Sequence, residues 1–383
     1  MEPYLPNYLK GKNRRLVFDL LRERGQMSRA EITRDTGMSF PTAMKVVDAF
    51  LEKGLLVELD ETGPAAGAGR KGRLLRFEPG AYRAVGVECE GRFARVGLAD
   101  MAGGVQARET IELGDFARTR DLSPIAAAIR RMCAAANGAP VLGVCIGFPA
   151  NLDPDAAAIV SYAAMDIQQP TSFAQVFPAF WREVELPVYL ENDANLACEG
   201  EAFLRRGAGG AANMLYLSIG SGCGGAVRLD GKLRRGARCR AGEVGAMLLQ
   251  PALGAPGRGA ARETLEDAVC LAALERRFGA ALRDGAQPGE ASAQAMRDYL
   301  CGPLSGAVYS LVMTLDVELC VLAGIVPGAL GMQLCTQVSE ALRAALPEST
   351  PVRVEPSVSA DAGVIGAAAT VFERSLDALL GSG

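Results

Sequence analysis

At 383 residues, 49% hydrophobic and 22% charged, the chain has the composition of a globular protein of two or three domains, not of a disordered or fibrous one. Its net charge of −4 hides an asymmetry: residues 1–80 carry 14 Lys and Arg against 11 Asp and Glu, the remainder 26 against 33. A basic head on an acidic body suits a nucleic-acid module carried by a domain that does not touch nucleic acid. Ten cysteines without a C-x-x-C pair argue against a disulfide framework or a cysteine zinc site, and the absence of histidine removes the usual proton shuttle near neutral pH. The first residues lack the apolar segment of a signal peptide, and the uncharged run Cys301–Leu315 is too short to span a bilayer. A cytoplasmic protein with no membrane partner is expected.

In chain order, Leu16, Val17, Leu20 and Leu21 mark a first amphipathic helix ending near Gly25. Ser28 and Glu31 then have the spacing of a capping box, with Ile32 as core residue of a short second helix that Gly37 ends. Ser39 caps a third helix, with Pro41 tolerated in its first turn, Val46, Val47, Phe50 and Leu51 facing inward and Gly54 closing it. Two short helices, a glycine turn and a longer third helix have helix-turn-helix spacing, which would present Ser39, Phe40, Thr42, Ala43 and Lys45 to the major groove. Strands at Leu55–Leu59 and Leu74–Phe77 flank Gly69-Arg70-Lys71-Gly72-Arg73, a loop with the character of a wing. Its glycines allow close backbone approach, and Arg70, Lys71 and Arg73 can bind phosphates. A small helical bundle with a merely solvated basic loop is the competing reading.

Beyond Tyr82, strand-like runs alternate with glycine turns and helical stretches, an α/β pattern. The clearest strands are Ala84–Val87, Val96–Ala99, Val141–Ile146, Val188–Leu190, Met214–Ile219 and Cys320–Leu322, and the segments Val85–Gly91 and Leu217–Gly225 resemble one another loosely. In the second of these, Gly220, Gly222, Gly224 and Gly225 expose backbone N–H groups beside the Ser221 hydroxyl, which makes a plausible phosphate cradle and equally an ordinary turn. Asn192 and Asp193 follow a strand, where they can cap a helix and also offer amide and carboxylate groups to a polyol.

These segments resemble the ROK family of repressors, open reading frames and sugar kinases over nearly the full length. The resemblance rests on Ser28–Leu56 with the Gly69–Arg73 wing, Gly143–Pro149, Glu191-Asn192-Asp193-Ala194-Asn195, Gly220–Gly225, Ala241-Gly242-Glu243-Val244-Gly245 and Asp361–Ala367. It implies an N-terminal winged helix-turn-helix (1–80) followed by a two-lobed actin-like ATPase, ribonuclease H-like fold. The first lobe would cover 81–192, completed by a C-terminal helix at about 364–383, and the second 193–363. Family members of this length with such a head regulate xylose, glucose or N-acetylglucosamine use.

By the same resemblance the sugar contacts fall on Asn192, Asp193, Glu243 and Glu263, with Asp193 at the position of the kinase base. The departures favour a sensor over a kinase. The first phosphate loop of the kinases reads Asp-x-Gly-Gly, and here it reads Glu88-Cys89-Glu90-Gly91, followed by Arg92, so Glu90 brings a carboxylate where ATP needs bare backbone. Glu90, Gly91, Gly220, Ser221, Gly222 and Gly224 are therefore expected to be vestigial phosphate loops. The zinc motif is lost: Ala246 stands at its histidine, and Gly254–Glu263 has no cysteine. The expectation is a non-enzymatic regulator of an operator duplex, a homodimer or higher homo-oligomer, sensing a sugar or sugar phosphate without cofactor or metal. An active sugar kinase, or a regulator with an empty cleft governed by a protein partner, are the alternatives.

Overall fold

The computed structural model describes residues 6–62, 73–206, 210–249, 263–279, 282 and 288–380. The head comprises α1 (Pro6–Arg24), β1 (Gln26–Ser28), α2 (Arg29–Thr36), α3 (Phe40–Glu52), β2 (Leu56–Thr62) and β3 (Arg73–Phe77), its sheet ordered β1-β3-β2. Ser28 makes the capping box, its N–H donating to Glu31 Oε2 at 2.7 Å while its hydroxyl accepts from Glu31 N. Gly37 closes α2 at φ +68°, a left-handed conformation that glycine adopts without a Cβ penalty. Ser39 caps α3, and Val46, Val47 and Phe50 are buried with Val17, Phe18, Leu21 and Ile32. One assignment needs correction: Leu16 is 43% exposed because α1 turns Val17, Phe18 and Leu21 inward instead. Leu51 is partly buried and packs against the same cluster. Gly69, Arg70, Lys71 and Gly72, like Gly254–Arg262, lie outside the described residues.

The body begins with β4 (Arg83–Glu90), β5 (Phe93–Asp100) and β6 (Val105–Glu112), followed by α4 (Phe116–Thr119), α5 (Ser123–Ala135) and β7 (Val141–Phe148). A small sheet of β8 (Asn151–Asp153), β9 (Ala158–Ser161) and β10 (Thr171–Ser172) leads through α6 (Phe173–Val176) and α7 (Pro178–Glu183) to β11 (Val188–Asn192) and α8 (Asp193–Leu204). The second half holds β12 (Met214–Ile219), β13 (Cys223–Leu229), β14 (Lys232–Arg234), α9 (Leu265–Val269), α10 (Leu271–Phe278), α11 (Glu290–Leu315) and β15 (Leu319–Ala323). It ends with α12 (Ile325–Leu330), α13 (Met332–Ala345), β16 (Arg353–Pro356) and α14 (Ala362–Leu379).

The two large sheets repeat one topology. Orders β11-β7-β4-β5-β6 and β16-β15-β12-β13-β14 each combine an antiparallel three-strand meander with two further strands parallel to its first. The two similar segments of the sequence are thereby explained, since Val85–Gly91 and Leu217–Gly225 are the first strand and turn of their respective sheets. Each sheet buries its own apolar layer, around Phe148, Phe173 and Phe177 in the first lobe and Leu300, Leu304 and Val308 in the second. The last helix, α14, crosses back to pack on β4, β7 and α8. Among the described residues, no helix is long and apolar enough to cross a membrane.

Candidate ligand cleft and nucleic-acid-binding head

At the start of α3, Ser39, Phe40 and Lys45 are exposed, Phe40 by 56%, and Thr42 is half-buried with its hydroxyl 2.8 Å from that of Ser39. Ala43 is fully buried. It shares the inward face with Val46, Val47 and Phe50 and is not available for contact with a duplex. Arg73 is exposed but turned back, its guanidinium donating to Glu58 at 3.4 Å. Arg70 and Lys71 lie outside the described residues.

In the body, β11 delivers Asn192 to the N-cap of α8, where its Oδ1 accepts from Asn195 N at 3.1 Å and its Nδ2 donates to Ala150 O at 3.3 Å. Asp193 follows in the first turn, accepting from Ala194 N at 2.9 Å. Burial pushes its carboxyl up to about 7, against that hydrogen bond and with the help of the nearby Glu88 and Glu90 carboxylates. The phenol of Tyr162 is likewise raised to about 12, first by burial and then by Asp193. Across the cleft, Glu243 precedes a single helical turn at Val244–Ala246. With the Asn151 amide oriented to satisfy both its atoms, it donates to Glu243 Oε1 at 2.7 Å and to Cys239 O at 3.0 Å. Arg240 to Ser161 (3.1 Å) and Arg235 to Glu191 (2.7 Å) add further bonds between the lobes. Burial raises the Glu243 carboxyl, opposed by Arg240 and aided by Glu266.

The fourth residue assigned from the resemblance, Glu263, has an exposed side chain, and its backbone carbonyl is held by Leu249 N at 3.1 Å. Glu266 is the carboxylate that reaches the cleft. It accepts from Cys223 N at 2.8 Å, and a Cβ on Gly222 would lie 2.9 Å from its Oε2. Its position was readable from the Thr264/Asp267 capping box, which sets Glu266 in the first turn of α9.

The two glycine turns face one another, since a Cβ on Gly220 would lie 3.0 Å from Glu90 Oε1 and one on Gly91 would lie 3.5 Å from Ser221 Oγ. A Cβ on Gly224 would meet Ala194 at 3.6 Å, which brings the second turn against the start of α8. Within this arrangement Arg95 Nε donates to Glu88 Oε2 and its Nη2 to Glu90 Oε2, both at 3.0 Å. Arg92 has no part in the cleft; it points outward to Glu112 at 2.8 Å. Glu88 is buried, with its carboxyl raised by that burial against the pull of Arg95. A zinc ion, implied by the resemblance, has no fitting donors: Ala246 supplies none, and among the described residues no group of three or more metal-ligating side chains exists.

Two similarly wound sheets with glycine turns opposed across a cleft, and a three-helix head in front, are matched by known proteins. The profile of the ROK family fits residues 84–374. The chain belongs to the ROK family. As a ROK protein it is 27% identical over 241 residues to the xylose repressor of Caldicellulosiruptor bescii, covering 62% of this chain and 58% of that protein. It is 34% identical over 141 residues to a glucokinase of Halalkalibacterium halodurans, covering 35% and 40%. The chain thus spans less than two thirds of the length of these curated relatives. In fold it is similar, with a TM-score of 0.75 and 17% identity, to the crystal structure of a ROK family transcriptional regulator described as a homologue of the E. coli Mlc protein, over 97% of this chain and 98% of that one. That likeness extends the shared fold to the head.

Proposed function

We propose that this ROK protein is a sequence-specific DNA-binding repressor, acting as a homodimer, that senses a sugar or sugar phosphate between its lobes and does not phosphorylate it. The observation that carries this reading is the occupation of the phosphate loops by the protein's own carboxylates. Glu88 and Glu90 stand at the first turn, clasped by Arg95, and Glu266 takes the Cys223 N–H of the second. A phosphate needs those donors, and each uncompensated carboxylate 4 Å from it would cost about 4 kcal/mol at an effective dielectric near 20. Asp193, Glu243 and Glu266 favour an uncharged polyol over a sugar phosphate for the same reason, and Asp193, at the position of the kinase base, serves as a ligand contact. Retention of that aspartate is the feature favouring a kinase instead.

Anisotropy titration against a duplex enriched from a random pool tests the repressor reading. Affinity is expected to fall steeply with salt, and alanines at Arg70, Lys71 and Arg73 should weaken binding to every sequence and flatten the salt slope. Unchanged affinity in the triple variant removes the wing from the interface. A coupled assay with ATP and a sugar panel should show no turnover; rates of about 1–1000 per second, the ordinary enzyme range, would establish the kinase.

A further inference from the structure

Between Glu88, Glu90 and the segments leading into α12 and α14 lies a cavity of about 350 Å³ whose lining includes none of Asn192, Asp193, Glu243 or Glu266. Three observations bear on what it takes. First, Glu88 and Glu90 share one cation: each commits its Oε2 to Arg95, and among the described residues neither Oε1 has a donor. The trio carries a formal charge of −1 with two acceptor oxygens to spare. Second, Tyr216 lines the same cavity while only 4% exposed, and its hydroxyl makes no hydrogen bond among the described residues. The ring is buried while the hydroxyl opens on the cavity, which leaves it free to bond a ligand there. Third, Ile325 and Val358 also line the cavity and are 39% and 54% exposed, apolar surface left open to solvent.

Phosphate is excluded by the surplus carboxylate, and an inorganic metal ion is poorly served by two carboxylates already tied to a guanidinium. We propose that this cavity is a second ligand site and that it takes a small organic monocation, a primary amine or guanidine on an apolar body. The three N–H donors of a primary ammonium match in number the free oxygens of Glu88, Glu90 and Tyr216. The apolar body covers Ile325 and Val358. The volume suits a small ligand. The site contains none of the proposed sugar contacts, but it rests on the same Glu88–Arg95–Glu90 cluster from which the proposed function argues that the first phosphate loop is closed.

Calorimetric titration of the full chain with isopentylamine and phenethylamine, their matched alcohols and ATP tests this. One amine is expected to bind per chain, the alcohols and ATP not. Glu90→Gln should weaken amine binding roughly tenfold or more, the loss of a charge-assisted hydrogen bond. Tyr216→Phe removes only a hydroxyl and should weaken it several-fold, which keeps the test usable if the first variant is unstable. Equal binding of amine and alcohol, no amine binding up to millimolar concentration, ATP in place of the amine, or wild-type affinity in both variants would overturn the proposal.

Discussion

Asp193 is pulled two ways, because the start of α8 favours its anion while burial and the neighbouring Glu88 and Glu90 raise it from 3.8 to about 7. Between those values the folded chain holds a proton that the unfolded chain has released, so this group's contribution to stability falls as pH rises through that window. Asp193→Asn removes the penalty. The variant should melt higher than the wild type at pH 8, by up to about 4 kcal/mol of added stability before solvent screening, with the gap closing towards pH 4. A gap that is the same at pH 5 and pH 8 would show that the carboxyl titrates normally. Asn192, Asp193 and Glu243 could be read from short motifs because their neighbours in sequence are also their neighbours in space. Arg95 could not, although the information was present: a two-residue turn at Gly91-Arg92 fixes Glu90 opposite Phe93 and hence Glu88 opposite Arg95. Arg92 adjoins Glu90 in sequence but leaves the strand outward, towards Glu112. Glu263 was displaced by Glu266 because the segment before it keeps no motif from which to count.

At the scale of elements, strands with an apolar run and helices with a cap were legible, and those defined by partners were not. Residues Gly220–Gly225 look like a loop throughout, but Cys223 onward forms β13, held in register by Ile219↔Cys223 and Leu217↔Gly225 pairing with β12. β1 has three residues, and its pairing to β3 is wholly tertiary. The crossing of α8 and α14 was equally hidden. Its glycines are there for backbone approach: a Cβ on Gly200 would lie 1.8 Å from Ala362 O, and one on Gly366 would lie 1.9 Å from Leu196 O. Neither contact can be relieved by rotating a side chain. Gly366→Ala should therefore lose about 3 kcal/mol or more in urea unfolding, against the small gain that glycine-to-alanine gives in an ordinary helix. A neutral or stabilising result would mean that the two helices do not pack this closely.

Over the whole molecule, the head is not a separate bead on a linker. Val17, Phe18, Leu21, Phe50 and Phe77 of the head fall in one continuous apolar cluster with Met101, Ala368, Val371, Phe372 and Leu376 of the body. Polar contacts reinforce the joint, with Arg14 donating to Leu380 O at 3.0 Å and Tyr82 to Lys53 O at 3.0 Å. At its edge Arg22 of α1 lies over the rings of Phe18 (5.2 Å) and Phe203 (4.7 Å), with Asp19 at 2.8 Å. Its Nε and Nη1 are buried without partners, and burial together with Arg206 lowers it to about 10. Phe203 stands near the end of the helix whose first residue is Asp193, so α8 is a rigid rod of about 18 Å at 1.5 Å per residue from cleft to head. Such a rod can carry a shift only if both ends grip. Phe203→Ala should loosen the head's grip while leaving the cleft residues in place. Hydrogen exchange across residues 10–24 should accelerate in this variant, while exchange in α8 near Asn192 stays slow. In the repressor reading, the variant should still bind its duplex, but a sugar bound at Asp193 should lose much of its power to release it, because differential affinity is transmitted only through elements that have two arrangements. If exchange in α1 is unchanged, the cation–π contact is ornamental and the coupling must run through α14 alone, where Arg15 and Glu373 pair across the same joint.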